Sequence, residues 1–317
     1  MHHLEGTFRV VQCQDCGMIY LNPRPNDNTL KAYYPESDYY SYRSRGRAKG
    51  GGGVRRAKDA IRAIVCAVHL GYEDRAPAWM PRRGLLRPLL RLASAPFKDR
   101  VARYLPPHSW GRSLLDVGCG AGHCLDHGRE FGWRTYGVEI SESAVAAARS
   151  RGHDVSLGDL EQARYESSSF DVVRLWHTLE HLPNPRRTLS EVHRILKPGG
   201  RLWLEVPNVS SAPAVIFRAR WFALDVPRHL QSFSPRVLKS MLREAGFEAI
   251  SMSTYQSAPE LENSTRYVLE DAGMRFLTKG PGRRVLKLLG LPFWTVGAWM
   301  LTRLALGDRL RAKATKT

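Results

Sequence analysis

From Ser113 onward the apolar positions of the chain follow two alternating rhythms. Short apolar runs recur as SLLDVG, RTYGVEI, HDVSLGD, FDVVRLW, GRLWLEVPN and FEAISMSTY, and read as strands. Between them apolar residues fall three and four apart, predicting a helix from Gly122 to about Phe131 and another from Ser141 to Arg151. Two more are predicted over NPRRTLSEVHRILK and SPRVLKSMLREAG. Strand and helix alternating at this interval predict an α/β fold: a doubly wound, mostly parallel, seven-stranded Rossmann-like sheet with right-handed crossovers. The closing GDRLRAKATKT alternates again and is expected to be the last strand, entered after a helical insertion.

The flanks lack this rhythm. Residues 1–42 contain the turn-like VQCQDCGMIYLNPRP and form a knuckle-like N-terminal segment, and 43–58 (RSRGRAKGGGGVRRAK) read as a flexible basic linker, because a glycine run among like charges buries too little surface to fold. Residues 59–105 are a basic helical region broken by Pro77, Pro81, Pro88 and Pro96. The α/β core takes 106–262, an apolar and basic helical insertion 263–306, and the last strand and tail 307–317.

Charge sharpens this division. The net +18 of the 317 residues would ordinarily suggest nucleic acid, yet 113–274 carry −2 and the excess sits at +13 over 43–112 and +9 over 275–317. A nucleic-acid enzyme would place basic residues around its active-site mouth, so nucleic acid is not the expected partner. Five scattered cysteines make no disulfide framework, and no signal-peptide pattern opens the chain, so a cytoplasmic protein is expected.

The chemistry begins at LLDVGCGAGHCL (114–125). Gly118, Gly120 and Gly122 let the backbone turn sharply towards a ligand. A dinucleotide fingerprint is G-x-G-x-x-G, but here the sixth position is His123 and the spacing is G-x-G-x-G. Glu139, ending the second strand in YGVEIS, is placed to accept from both hydroxyls of a ribose. Asp159 ends the third strand in LGDLE, as an adenine contact or a helix cap. With FDVVRLWHTLEHLPNP and RILKPGGRLWLEVPN, these motifs resemble the class I S-adenosylmethionine-dependent methyltransferases over roughly residues 100 to 260. The resemblance implies S-adenosyl-L-methionine as cofactor, with Asp116, Gly118 and Gly120 at its methionine end, Glu139 on the ribose, and Asp159 and Leu160 at the adenine. Residues 174–177, Trp176 among them, would close the site beside the sulfonium.

Methyl transfer to a hydroxyl wants a base, and histidine titrates near neutrality. In WHTLEHL, His177 and His181 would share a face if the stretch turned helically; alternatively, His181 and Glu180 only stitch strand to loop. The stretch WFALDVPRHLQSFSP carries Asp225, Arg228 and His229, and resembles a subgroup of these enzymes concerned with sugars, polysaccharides and other secondary products. His229 is the preferred base, a structural role being its alternative. The expected acceptor is a hydroxyl on a glycan, lipid-linked or other small molecule. An RNA methyltransferase and an inactive cofactor-binding scaffold are the rival readings.

Two flanking features complete the reading. Cys13 and Cys16 form the Cys-x-x-Cys-Gly turn of half a zinc knuckle, and related chains often carry a second pair. Zinc would have to recruit His2, His3 or Cys66, so no metal is expected; either the true start lies upstream or the knuckle has decayed into a packed turn. Residues 285–306 are the most apolar stretch. The 15 residues between Lys287 and Arg303 would span only about 22 Å as a helix against a hydrocarbon core of about 30 Å. The segment is expected to lie on an anionic membrane surface, peripheral on its inner face, with Phe293, Trp294 and Trp299 at headgroup depth. A helical pair buried against the protein is the alternative.

Overall fold

The computed structural model describes residues 7–26, 29, 32–34, 52–80, 84 and 86–317. His2, His3 and most of the expected linker lie outside them. The chain divides into two units, one of Glu36–Arg174 with Ile195–Arg201, the other of Met1–Pro35, Leu175–Arg194 and Leu202–Thr317.

The predicted rhythm is realised as β3 (Ser113–Val117), α4 (His123–Glu130), β4 (Arg134–Glu139), α5 (Glu142–Arg149), β5 (Asp154–Leu157) and β6 (Phe170–Trp176). It continues through α6 (Pro185–Ile195), β7 (Leu196–Pro207), α8 (Pro235–Glu244), β9 (Phe247–Tyr255) and β10 (Arg309–Lys316). Seven strands form one sheet in the order β5-β4-β3-β6-β7-β10-β9. β3, β4 and β5 pair in parallel, while β10 runs antiparallel to β9. The sheet is therefore mostly parallel and doubly wound, as expected, and the strand order reverses at β3, whose C-terminal end carries the glycine turn. Central strands are apolar on both faces because helices cover both: Leu114, Leu115, Val172 and Val173 are fully buried.

The first unit also corrects the linker reading. Helix α1 (Gly52–Leu70) begins inside the 43–58 stretch and is followed by α2 (Leu86–Ser94) and α3 (Lys98–Ala102). Its last two turns bury Val65, Cys66, Ala67, Val68 and Leu70, and Ala67 and Val68 pack with Met80. Residues 56–60 are exposed, so the first part of the helix propagates from these buried turns and has no core packing of its own there. Behind it Trp133 donates to the Tyr72 hydroxyl at 2.7 Å, which donates to the Pro106 carbonyl at 2.6 Å.

In the second unit the knuckle-like segment is a hairpin of β1 (Val10–Gln12) and β2 (Ile19–Leu21) that takes β8 (Gln231–Ser232) as a third strand. The Cys13 to Gly17 turn is closed by its own backbone: Gly17 donates to the Cys13 carbonyl at 3.0 Å and Cys13 to that of Met18 at 2.8 Å. This sheet anchors the loop bearing His229, because Leu21 donates to the Leu230 carbonyl at 3.0 Å.

Between β9 and β10 come α9 (Ala258–Asp271) and α10 (Gly280–Arg303), the predicted insertion; α7 (Ala212–Phe217) lies upstream. α10 runs unbroken through Pro292 for 24 residues. Trp294 does not face outward as expected: it is 4% exposed, packed with Leu261 and Ala298. The helical period explains this, because Leu286, Trp294, Ala298 and Leu301 share the stripe that meets α9. Val285, Leu288, Leu289, Val296, Trp299 and Met300 form the opposite, exposed stripe.

Candidate active site

The glycine turn is built by β3 and β4. At the end of β3 the amides of Gly118 and Cys119 donate to the Val138 carbonyl at 2.8 and 3.2 Å, bending the chain across its neighbour. Gly120 (φ +53°) and Gly122 (φ +81°) then adopt left-handed conformations. A Cβ on Gly122 would come within 3.1 to 3.2 Å of His153, Ala148 and Arg151. α4 starts immediately after.

Glu139 closes the turn from below. Its Oε2 accepts from the Gly120 amide at 2.8 Å, and its Oε1 from the amides of Ile140 and Ser141 at 2.8 and 3.0 Å. Burial pushes its pKa above the ordinary value, and these three donors oppose the shift. The carboxylate therefore fixes the turn that the sequence assigns to the cofactor. Glycine turn, adjoining acid at a strand end and helix N-terminus form a donor and acceptor set that fits a ribose-bearing cofactor, which Gly118, Gly120 and Glu139 would hold. Glu139→Ala should weaken S-adenosylmethionine binding by about 1.5 to 3 kcal/mol, roughly 10- to 100-fold by calorimetry. Unchanged affinity removes Glu139 from the cofactor contacts.

Asp116, at 1% exposure, is held by a residue that sequence reasoning missed. Arg174 reaches its Oδ1 at 2.7 Å and donates to the Arg103 carbonyl at 3.1 Å. The signal was an arginine inside the apolar strand FDVVRLW. Asp159 is exposed and caps its own turn, accepting from the Gln162 amide at 2.7 Å while Gln162 accepts from the Asp159 amide at 3.0 Å. Leu160 beside it is buried.

In the second unit, Trp176 ends β6 with its ring 5.2 Å from that of Trp203. His177 follows at φ +53°, and the chain then makes a single 3-10 turn over Leu179–His181. That kink corrects the helical expectation: His177 and His181 share no helix face. His177 instead lies between two carboxylates, Nδ1 3.2 Å from Glu180 Oε1 and Nε2 3.0 Å from Glu205 Oε1. Burial disfavours its charge, but these hydrogen bonds prevail and raise its pKa to about 9. Arg309 and Arg311 also reach the fully buried Glu205, at 3.2 and 2.5 Å. This hub was invisible within the strand pattern LWLEVPN.

His181 is a different group. Burial and the nearby His229 lower its pKa to about 4, so its ring stays neutral. Its Nδ1 lies 3.0 Å from the Arg228 carbonyl, and the Tyr34 hydroxyl, 2.8 Å from the same nitrogen, is 3.4 Å from that carbonyl. His229 Nδ1 lies 2.8 Å from the Ala223 carbonyl, its ring centroid is 4.6 Å from that of His181, and its Nε2 is 3.9 Å from Glu180 Oε1. Arg228 pairs with Asp225 at 2.5 Å. The loop is sewn to the Leu179–His181 turn: Leu230 donates to the Glu180 carbonyl at 2.9 Å, and the Gln231 amide to the carbonyls of Leu179 and Leu182 at 3.1 and 2.6 Å. The structure thus brings His177, Glu180, His181 and His229 into one cluster.

Comparison with known proteins places this chain among methyl-transferring enzymes. The family described as "Methyltransferase domain" matches residues 89–252. A ubiquinone biosynthesis O-methyltransferase of Azoarcus sp. is 30% identical over 162 residues, covering 45% of this chain and 67% of that protein. One of Pseudomonas aeruginosa is 31% identical over 154 residues, covering 44% and 65%. A probable S-adenosylmethionine-dependent methyltransferase of Mycolicibacterium smegmatis is 32% identical over 141 residues, covering 44% and 52%. The chain thus spans about half to two thirds of the length of the curated relatives it matches. Among solved structures, a SAM-dependent methyltransferase of Archaeoglobus fulgidus is 23% identical with a TM-score of 0.47, over 71% of this chain and 94% of that one.

Proposed function

The chain belongs to the family of S-adenosylmethionine-dependent methyltransferases, and from that premise we propose that it methylates a hydroxyl of a small molecule, of the glycan or lipid-linked class. The observation that carries the choice of oxygen is His229. Its Nδ1 is engaged by a carbonyl, so Nε2 is the acceptor nitrogen, and Glu180 lies beside it to stabilise an imidazolium. The O-methyltransferase names of the Azoarcus and Pseudomonas relatives support the same atom. S-adenosylmethionine supplies an electrophilic methyl group when bound. The chain's own work is to hold that cofactor through the glycine turn and Glu139, to orient the acceptor, and to take its proton at His229 Nε2. His177 already carries a proton between two carboxylates and serves position rather than proton removal; His181, neutral and half-buried, packs its ring edge-to-face with that of His229. His229→Ala should lower kcat on the order of 10²-fold or more at unchanged cofactor affinity, measured on an acceptor found by screening glycan and lipid-linked pools with labelled cofactor. A variant that turns over normally removes the base assignment.

The acceptor class is supported by α10. Its exposed stripe is apolar, the helix contains no acidic residue, and Arg283, Arg284, Lys287 and Arg303 lie along it. Such a face suits the surface of an anionic bilayer, as would befit a cytoplasmic enzyme peripheral to the inner face of a membrane and acting on amphiphilic acceptors. The protein should sediment with anionic vesicles and much less once Leu288, Leu289 and Trp299 are changed to Ser, exposed positions that spare the buried Trp294. Equal sedimentation of that variant, or none by wild type at low salt, removes the membrane from the reading.

A further inference from the structure

The cluster of the second unit has an unusual inventory of hydrogens. A backbone carbonyl only accepts, so Nδ1 of His229, facing the Ala223 carbonyl, donates; Nδ1 of His181 faces both the Arg228 carbonyl and the Tyr34 hydroxyl, which can give or take a hydrogen. The tautomer of His229 with its hydrogen on Nδ1 leaves Nε2 as a lone pair, and His181 offers the same atom when its Nδ1 donates to the Arg228 carbonyl. The third member, Glu180, is fully buried; its Oε1 faces His177, while its Oε2 has no hydrogen-bond partner. One ligand atom from each of Glu180, His181 and His229 lies within 4.8 Å of the others. Two imidazoles and a carboxylate thus converge, and the carboxylate keeps one buried oxygen that receives no hydrogen bond. An unpartnered, buried carboxylate oxygen is costly, and a cation relieves it.

From this geometry we propose that Glu180, His181 and His229 bind a divalent transition-metal ion. The ligand set of two imidazoles and one carboxylate suits zinc, manganese, iron(II) or cobalt(II) rather than magnesium or calcium, which prefer oxygen shells. Metal–nitrogen and metal–oxygen bonds of about 2.1 Å bring ligand atoms to roughly 3 to 4 Å apart, so closure asks for side-chain shifts of under about 1 Å. The outer shell is in place. The Ala223 carbonyl fixes His229 in the tautomer that offers Nε2, the Arg228 carbonyl and the Tyr34 hydroxyl hold the His181 ring, and His177 orients the Glu180 carboxylate. Three protein ligands leave positions open for water or an acceptor hydroxyl, whose acidity the metal would raise. This goes beyond the methyl-transfer reading, and metal binding is measurable without any acceptor. With metal bound, His229 is a ligand and the metal takes over activation of the hydroxyl.

The test is titration of the chelator-treated full chain with Co²⁺, followed by visible absorption and calorimetry, with Mg²⁺ in parallel. One equivalent of Co²⁺ should bind with d–d bands and without the intense near-ultraviolet thiolate band that Cys13 and Cys16 would produce. Mg²⁺ should bind far more weakly. His229→Ala and Glu180→Gln should each weaken Co²⁺ binding by about 10- to 100-fold or more, and Cys13→Ser/Cys16→Ser should leave it unchanged. Circular dichroism shows whether each variant is folded; should one unfold, the wild-type spectrum and stoichiometry still decide. No binding, a thiolate spectrum, or undiminished binding in a folded His229→Ala variant overturns the proposal. Methyl transfer that survives chelation while His229→Ala abolishes it would leave the base assignment standing and defeat the metal.

Discussion

Glu205→Ala is expected to lose about 3 to 5 kcal/mol of stability, the scale of a buried ion pair broken from one side. Glu205 is fully buried and receives His177, Arg309 and Arg311. Its removal leaves these cations facing one another, with Arg309 still paired to Glu260. Glu205→Gln, which keeps the volume, should recover part of the loss. The pH dependence gives an independent readout. The pKa of His177 is raised from 6.5 to about 9, burial being outweighed by its two carboxylate partners. Its contribution is therefore fully present below pH 6.5 and lost as pH rises through 9. The melting temperature of the wild type should fall between pH 7 and about 9.5, and the fall should shrink in Glu205→Gln. A Glu205→Ala variant that melts like the wild type at pH 7 would show that the hub adds nothing to stability.

That hub also marks what the sequence does not display. The glycine turn, Glu139 and the strand rhythm are local features, each read from a few consecutive residues. The turn needs Gly120 and Gly122 for their dihedral angles, and the strands need apolar runs for burial on both faces. The partnership of Glu205 with Arg309 and Arg311 spans about a hundred residues, and only strand order makes it. The same holds for the hairpin of β1 and β2, which meets β8 across two hundred residues and thereby positions His229. Composition misled at α1, where a glycine and arginine run reads as linker but the helix propagates into it from the buried turns, and at Trp294, where aromatic character suggested the outer face and helical phase sets the inner one. His177 was read as a helix partner of His181 because periodicity assumes a regular backbone, whereas φ +53° at His177 ends that regularity.

Arg174→Met is the companion experiment in the first unit, with a loss of about 3 to 5 kcal/mol expected, or roughly 10 °C in melting temperature. The variant strands Asp116 at 1% exposure without the guanidinium that lies 2.7 Å away. Burial already pushes the Asp116 pKa above the ordinary carboxylate value against the pull of Arg174, and removal of that pull should raise it further. A carboxyl whose folded pKa exceeds its unfolded one contributes stability at low pH that is lost as pH rises. The deficit of Arg174→Met should therefore shrink as the pH is lowered from 7 to 5, because a protonated Asp116 needs no cation. Asp116→Asn combined with Arg174→Met should recover most of the melting temperature at pH 7, since the pair is then replaced rather than broken. If the double variant melts normally yet binds S-adenosylmethionine weakly, Asp116 touches the cofactor as well as Arg174. If it binds normally, the carboxylate serves the strand alone, and the cofactor is held by the glycine turn and Glu139. A single variant that keeps the wild-type melting temperature at pH 7 would mean that Asp116 has another source of compensation, and that the pair is not what fixes the end of β3.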